Sequence, residues 1–463
     1  MKRIGIVHYR VGRTDGVSLE IEKRKQVLET MGCEVALIAG PVSTGADFVI
    51  PELEFDDPVM ATIKRNAFDY FHDRSLSDDE LSTSMRRVAG NIETSFARIA
   101  AEYPTEALLV HNLFSHGRHL PAASAMARHI EAFPQAVLAT HHDYFWERPE
   151  YQNPRNQWVA DYLDRYVPPR SSDIDHVSIN SLAAEGLLAR RQIDSLVVPD
   201  VFDFDQPRWE IDDFNADFPH VLDLRANDVV VLQATRIVRR KAIELAVDLV
   251  ARLRDMLPGL VGRRLYNGKE IREDSRVVLV LAGYAEESAA EYVRRLKAKI
   301  LDSGIEARFA SGHIAAARVA GPEKRFSLWD AYAHADLVTY PSLQEGWGNQ
   351  FIEAVFARKP VVLVEYPVFE ADIRREGYHY VTMGSHSDVN YQDVTSKNVT
   401  REDSVRPGLA HLPTFQMEIV AEKAVDFLFG VDTKRLLDEN VKFGRRYHGL
   451  QVLETLFAET IVR

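Results

Sequence analysis

Short runs of β-branched and aliphatic residues recur along the chain, each followed by a longer stretch with apolar positions every three or four residues. That alternation marks α/β layering around parallel strands. In the first half it predicts strands over residues 4–7, 35–38, 107–110, 136–140 and 176–179, and helices over 16–31 and 78–101. A second series starts near residue 228, with strands over 229–234, 277–282, 307–310, 337–340 and 360–364. Its helices fit 242–256, 287–302, 328–335 and 349–357, and the stretch 415–463 is mostly helical. Between the two series, LVVPDVFDF (196–204) leads into DQPRWEIDDFNADFPH, which is rich in Asp, Pro and aromatics and has no periodicity. The boundary is therefore set there, giving domains 1–204 and 205–444, each a Rossmann-like doubly wound sheet.

Composition changes this picture little but excludes some functions. The chain has 463 residues, 46% of them apolar, enough for two sizeable cores. A net charge of -13 argues against nucleic acid as a general partner. Cys33 is the single cysteine, so no internal disulfide forms, and no Cys/His cluster has zinc-ligand spacing. The opening MKRIGIVHYR reads as a strand and not a signal peptide, and nowhere do about 18 apolar residues run together. A cytoplasmic protein with no membrane span is the expectation, and its oligomeric state is left open.

The most informative segment is YPSLQEGWGNQFIEA (340–354). A strand ends at Tyr340, a loop carries Glu345, Gly346, Trp347 and Gly348, and a helix starts near Asn349. The two glycines remove side chains where a ligand could approach the backbone. Free N–H groups at the helix start favour an anion such as a diphosphate. Carboxylates accept hydrogen bonds from vicinal hydroxyls, so Glu345 and Glu353 suit one sugar each. Solvated glutamates beside a helix cap are the plainer alternative, and the Glu-Gly-aromatic-Gly spacing disfavours it.

This segment resembles the paired-glutamate signature of glycosyltransferase family 4, the retaining enzymes with the GT-B fold. The resemblance implies two Rossmann-like domains facing a central cleft, with a C-terminal helix (about 445–463) crossing back to complete the N-terminal, acceptor-side domain. It implies that Glu345 contacts a donor hexose, that Glu353 contacts the nucleotide ribose, and that the backbone of Gly346, Trp347, Gly348 and Asn349 cradles the phosphates. Trp347 replaces the usual Phe, and Asn349-Gln350 the usual Leu-Pro. ATRIVRRK (234–241) is similar to the family's Arg…Lys pair, assigning Arg236 and Lys241 to the leaving diphosphate. GRTDGVS (12–18) resembles the Gly-Gly-Val-Ser loop, with Gly16, Val17 and Ser18 on the donor side and Asp15 replacing the first glycine. Asp15 is expected to receive an acceptor hydroxyl or ammonium. ATHHD (139–143) resembles the segment that puts His142 near the hexose, with His141 assigned to the acceptor side. SGHI (311–314) sits where His313 and Ile314 would read the base, and VPDVFD (198–203) matches the crossover between domains. The DGVS loop and VEYPVF (364–369) are similar to members of the family that make small glycosides of glyceric acid.

The reading that follows is a hexosyltransferase. It moves glucose or mannose from a GDP- or UDP-hexose to a small soluble hydroxyl-bearing acceptor, with no cofactor and no metal. No side chain stands out as a covalent nucleophile, which favours a front-face displacement in which preorganised cations stabilise the leaving phosphate. The alternatives are a transferase acting on a glycolipid or polysaccharide precursor, an epimerase, a phosphorylase, or a non-catalytic sugar-nucleotide binder. The HHD run invites a metal reading, against which no second ligand cluster stands out.

Overall fold

The structure, a computed structural model, describes residues 1–13, 15–286, 289–391 and 409–462. Thr14 of the GRTDGVS turn, residues 287–288 at the expected start of a helix, and Arg463 at the end of the helical tail lie outside the described residues. The chain divides into two compact units, Met1–Asp203 with Gly449–Arg463, and Phe204–His448.

The first unit is built on seven parallel strands: β1 (Arg3–Val7), β2 (Glu34–Ala39), β3 (Phe48–Val49), β4 (Ala107–His111), β5 (Ala136–His141), β6 (Ile174–Ser178) and β7 (Leu196–Val197). Their order is β3-β2-β1-β4-β5-β6-β7, which reverses between β1 and β4. Side chains alternate across the sheet: Leu108 and Val110 of β4 face one core, Ala107 and Leu109 the other. On the first face lie helices Asp78–Glu102, started by a Ser77/Glu80 capping box, and Leu120–Ala132. On the second, Ile21, Val27 and Leu28 of helix Gly16–Thr30 meet Leu453, Leu456 and Phe457 of helix Gln451–Thr460. The C-terminal segment is thus part of this unit's core.

The second unit repeats the scheme with β8 (Val229–Gln233), β9 (Val277–Leu281), β10 (Glu306–Phe309), a two-strand ribbon of β11 (Ile314–Ala315) and β12 (Phe326–Ser327), and then β13 (Leu337–Tyr340), β14 (Val361–Glu365) and β15 (Val381–Ser385). The sheet order is β10-β9-β8-β13-β14-β15, reversing between β8 and β13. Strands such as VVVLQ and VVLVL are buried at every residue, as parallel strands covered on both faces must be. Helix Thr433–His448 belongs to this unit through its last residue. The His448 ring stacks on Tyr378 at 6.2 Å and its Nε2 donates to Glu376 at 2.7 Å. The return to the first unit begins at Gly449, against the expected start at about 445.

Around the carboxyl ends of β1, β4 and β5 the first unit buries histidines. His8 Nδ1 donates to the His111 carbonyl at 2.9 Å, and His119 Nε2 to that of Glu52 at 2.7 Å. His141 Nε2 lies 2.9 Å from His176 Nδ1. Burial lowers His8, His119 and His176 to about 4, and holds His111 and His141 well below the ordinary imidazole value. These rings are neutral near pH 7.

Two expectations follow. Phe457→Ala removes a fully buried ring from the first unit and should cost about 3–5 kcal/mol, read by urea unfolding. As pH falls from about 6.5 toward 4, the unfolded chain takes up protons that the folded histidines refuse, so stability is lost on acidification. Each such histidine contributes about 1.4 kcal/mol per pH unit in that window. The urea midpoint should drop clearly between pH 7.5 and 5.5; a flat profile would contradict neutral burial.

Candidate functional site

In open parallel sheets, ligands bind outside the carboxyl ends of the strands where the order reverses. In the second unit the two loops at that point follow β8 and β13. After Gln233 the chain runs through a 3₁₀ turn at Arg239–Lys241 and a left-handed Ala242 (φ 44°) into helix Ile243–Met256. After Tyr340 it runs through Glu345 into helix Asn349–Phe356. The loops are tied together by backbone and side chain. Leu343 N donates to Arg240 O at 2.9 Å, and Arg240 Nη1 donates to Gln344 O and to Glu345 Oε2, both at 2.7 Å. The other carboxylate oxygen of Glu345 accepts from Lys241 Nζ.

Glu345 and Lys241 are both nearly buried, and pairing is what makes their charges tolerable there. Burial alone would raise the Glu345 carboxyl, but Lys241 and then Arg240 hold it below its ordinary value. Burial lowers Lys241 to about 8 against the pull of Glu345. Arg236 is exposed and forms its own ion pair with Glu286, yet its charge still bears on Lys241. The expected Arg236–Lys241 pair is thus a cluster of three cations, and Arg240 is the residue the sequence reading missed. It stands in the RRK run next to Lys241, so the signal was present.

Glu353 lies one turn into the helix, where Oε2 accepts from the fully buried Tyr332 hydroxyl at 2.9 Å. Gly346 and Asn349 are exposed at the helix start, whereas Trp347 is buried edge-on against His448 at 5.4 Å. Any ligand contact by Trp347 therefore comes through its backbone. Gly348 has a packing reason: a Cβ there would lie 2.9 Å from the Tyr366 hydroxyl and 2.8 Å from Ile373 Cδ1. That hydroxyl donates to Trp347 O at 3.0 Å. The room expected for a ligand at Gly348 is filled from below by Tyr366. His313 is exposed and Ile314 half-buried, just past the carboxyl end of β10.

In the first unit, His142 follows β5. Its backbone N–H donates to Asn112 Oδ1 at 2.9 Å, Nε2 lies 3.3 Å from His111 Nδ1, and Nδ1 lies 3.5 Å from Asp200 Oδ1. Asp200, in the VPDVFD crossover, is thus a partner that sequence reasoning left without a role. His141 is completely buried, stacked on His176 at 5.2 Å and packed on Tyr144, so the acceptor-side role expected of it gives way to an interior one. Asp15 also differs from expectation. It is the N-cap of helix Gly16–Thr30, accepting from Ser18 N at 3.1 Å and Ser18 Oγ at 2.8 Å. Both carboxylate oxygens accept from Ser18, which is buried, while Gly16 is exposed and Val17 half-buried.

Among the described residues no group of three or more His, Cys, Asp or Glu is placed to hold a metal ion, and no helix is long and apolar enough to cross a membrane.

The sequence profile of the glycosyl transferases group 1 matches residues 215–388, which contain the β8 and β13 loops. A mannosylglucosylglycerate synthase of Petrotoga mobilis is 42% identical over 382 residues, covering 82% of this chain and 86% of that protein. A mannosylglucosylglycerate synthase of Thermotoga maritima is 33% identical over 462 residues, covering 99% of this chain and all of that protein. In three dimensions a sucrose-phosphate synthase from Thermosynechococcus elongatus superposes with a TM-score of 0.57 at 12% identity, covering 99% of this chain and 98% of that one, a likeness of fold. With two Rossmann-like units of the GT-B type, a region matching the group 1 glycosyl transferases, and relatives aligned along 82% and 99% of its length, the chain is a glycosyltransferase and belongs to the family of the mannosylglucosylglycerate synthases.

Proposed function

We propose that this enzyme transfers a hexose, mannose by preference, from a GDP- or UDP-sugar to a hydroxyl of a glyceric-acid glycoside in the cytoplasm, with retention at the anomeric carbon. The carrying observation is the Glu345 carboxylate held between Arg240 and Lys241 at the strand-order reversal of the second unit. The two relatives, both mannosylglucosylglycerate synthases, support the glycerate-based product.

In this reading Glu353, fixed by Tyr332, takes the ribose hydroxyls, while His313 and Ile314 lie against the base. The backbone from Gly346 to Asn349 and the start of its helix receive the diphosphate, and Glu345 receives hexose hydroxyls. On the first unit, the Gly16–Ser18 turn and His142 serve donor and acceptor. His142 is positioned by Asn112, His111 and Asp200.

The bond from the anomeric carbon to the β-phosphate oxygen breaks as the acceptor oxygen bonds to the same face of that carbon. The acceptor proton passes to the departing phosphate. Arg236, Arg240 and Lys241 stabilise the charge that grows on that phosphate, and because they are fixed before reaction they favour the transition state over the ground state. Three side-chain cations supply what a divalent metal supplies elsewhere, so no cofactor is required.

The test is a panel of GDP- and UDP-linked mannose and glucose with a glyceric-acid glycoside, with and without EDTA, the product read by mass and by NMR of its anomeric linkage. One donor should give a retained hexosyl product with EDTA present. Lys241→Ala and Arg240→Ala should each lower kcat by on the order of 100-fold. Turnover of none of these donors, or full activity in both variants, would overturn the reading.

A further inference from the structure

The first unit carries a second feature at the carboxyl edge of its sheet. Arg118 lies in the loop between β4 and helix Leu120–Ala132, half-buried, with its guanidinium carbon 4.4 Å over the Phe55 ring. Among the described residues no carboxylate lies within ion-pair distance of it. Neighbouring arginines differ: Arg10 is paired with Glu54 and Asp56, and Arg148 with Asp143 and Glu150.

The loop that presents Arg118 is locked from both sides. Its backbone N–H donates to His116 Nδ1 at 3.1 Å. Gly117 lies flat on Tyr151, and a Cβ at that position would come 2.7 Å from the ring. His119 is fully buried, accepts from Ala122 N at 3.2 Å and stacks on Tyr9 at 5.7 Å. The guanidinium's charge is felt at Tyr151, His8, Tyr9 and His116. Burial lowers His8 to about 4 and His116 to about 3, so these rings offer no positive charge near pH 7. Lys64 is lowered too, first by burial and next by the charge of Arg118. Asp56 and Glu150 act on Lys64 with the opposite sign, but among the described residues no carboxylate pairs with the Arg118 guanidinium itself, so a bound anion could take that place.

We propose that Arg118, on its locked HGRH loop beside Phe55 and Tyr151, receives the carboxylate of the acceptor and so selects acidic glycosides over neutral ones. This rests on the reading of the acceptor as a glyceric-acid glycoside. An arginine side chain has five N–H donors in a planar fork that matches a carboxylate bidentately. The stacking and the clamped loop fix the fork before the acceptor arrives, which reduces the ordering cost of binding.

The experiment compares a glyceric-acid glycoside with its uncharged amide as acceptors for the wild type, Arg118→Gln and Arg118→Lys. The wild type should favour the acid in KM by on the order of 10- to 100-fold. Arg118→Gln should raise KM for the acid by a similar factor and KM for the amide by far less, with the affinity for free nucleoside diphosphate unchanged, and Arg118→Lys should fall between. Retained stabilisation by the nucleotide establishes that each variant is folded. A wild type that uses acid and amide equally overturns the assignment whatever the variants do. Unchanged KM for the acid in Arg118→Gln overturns it alone, while a wild type inactive on every glyceric-acid glycoside overturns the functional reading as well.

Discussion

The ion triad of Glu345, Lys241 and Arg240 is the constraint on which the second unit's site depends. Parallel order reversing between β8 and β13 brings two loops far apart in sequence to one edge of the sheet. A carboxylate and an ammonium then become nearly buried together, which neither would tolerate alone. Each partner fixes the other, and the backbone link from Leu343 to Arg240 fixes the loops that carry them. The helix bearing Glu353 starts from the same loop, so the positions of both glutamates follow from one strand end. Tyr332 and Tyr366 reinforce this from beneath, one on the Glu353 side chain and one on the Trp347 carbonyl.

The first unit solves a different electrostatic problem. Its sheet edge is rich in histidines, yet burial keeps His8, His111, His119 and His141 neutral, so they act as hydrogen-bonding and stacking groups. Positive charge there is carried by arginines, most of them already matched to carboxylates. Arg118 stands apart because it lies over the Phe55 ring and, among the described residues, has no carboxylate at ion-pair distance. The two units therefore carry anion-binding capacity of different kinds: a dense cation cluster anchored by one glutamate, and a single preorganised guanidinium.

Much of this was legible in the sequence. Continuous aliphatic runs such as VVVLQ, VVLVL and ALLVH announced buried parallel strands, and the helices over 78–101 and 349–357 followed from spacing of apolar positions. Helix Leu120–Ala132 escaped because LPAASAMARHIEA is buried nearly all round and has no polar stripe to set a period. β3 and β7 are two residues each, too short for any pattern, and β15 is interrupted by Gly384. At the site, residue types predicted the chemistry better than the pairings. Glu345 and Lys241 were identified from motifs that resemble the family's, but which cation meets which carboxylate is decided in three dimensions, where Arg236 turns to Glu286 and Arg240 to Glu345. Asp15 shows a role that residue type alone left open: its hydrogen bonds to Ser18 make it the cap of the first helix.

The measurement that tests the central claim most directly is the proton exchange that accompanies nucleoside-diphosphate binding. Lys241 titrates near pH 8 in the unliganded enzyme because burial opposes its charge, and a diphosphate beside it would restore that charge. Calorimetric titration with GDP or UDP at pH 8, in two buffers of different ionisation heat, should then reveal uptake of about half a proton per site. The uptake should vanish in Lys241→Arg, whose charge is permanent. Binding without proton uptake in the wild type, or the same uptake in that variant, would contradict the assignment of this cation cluster to the diphosphate.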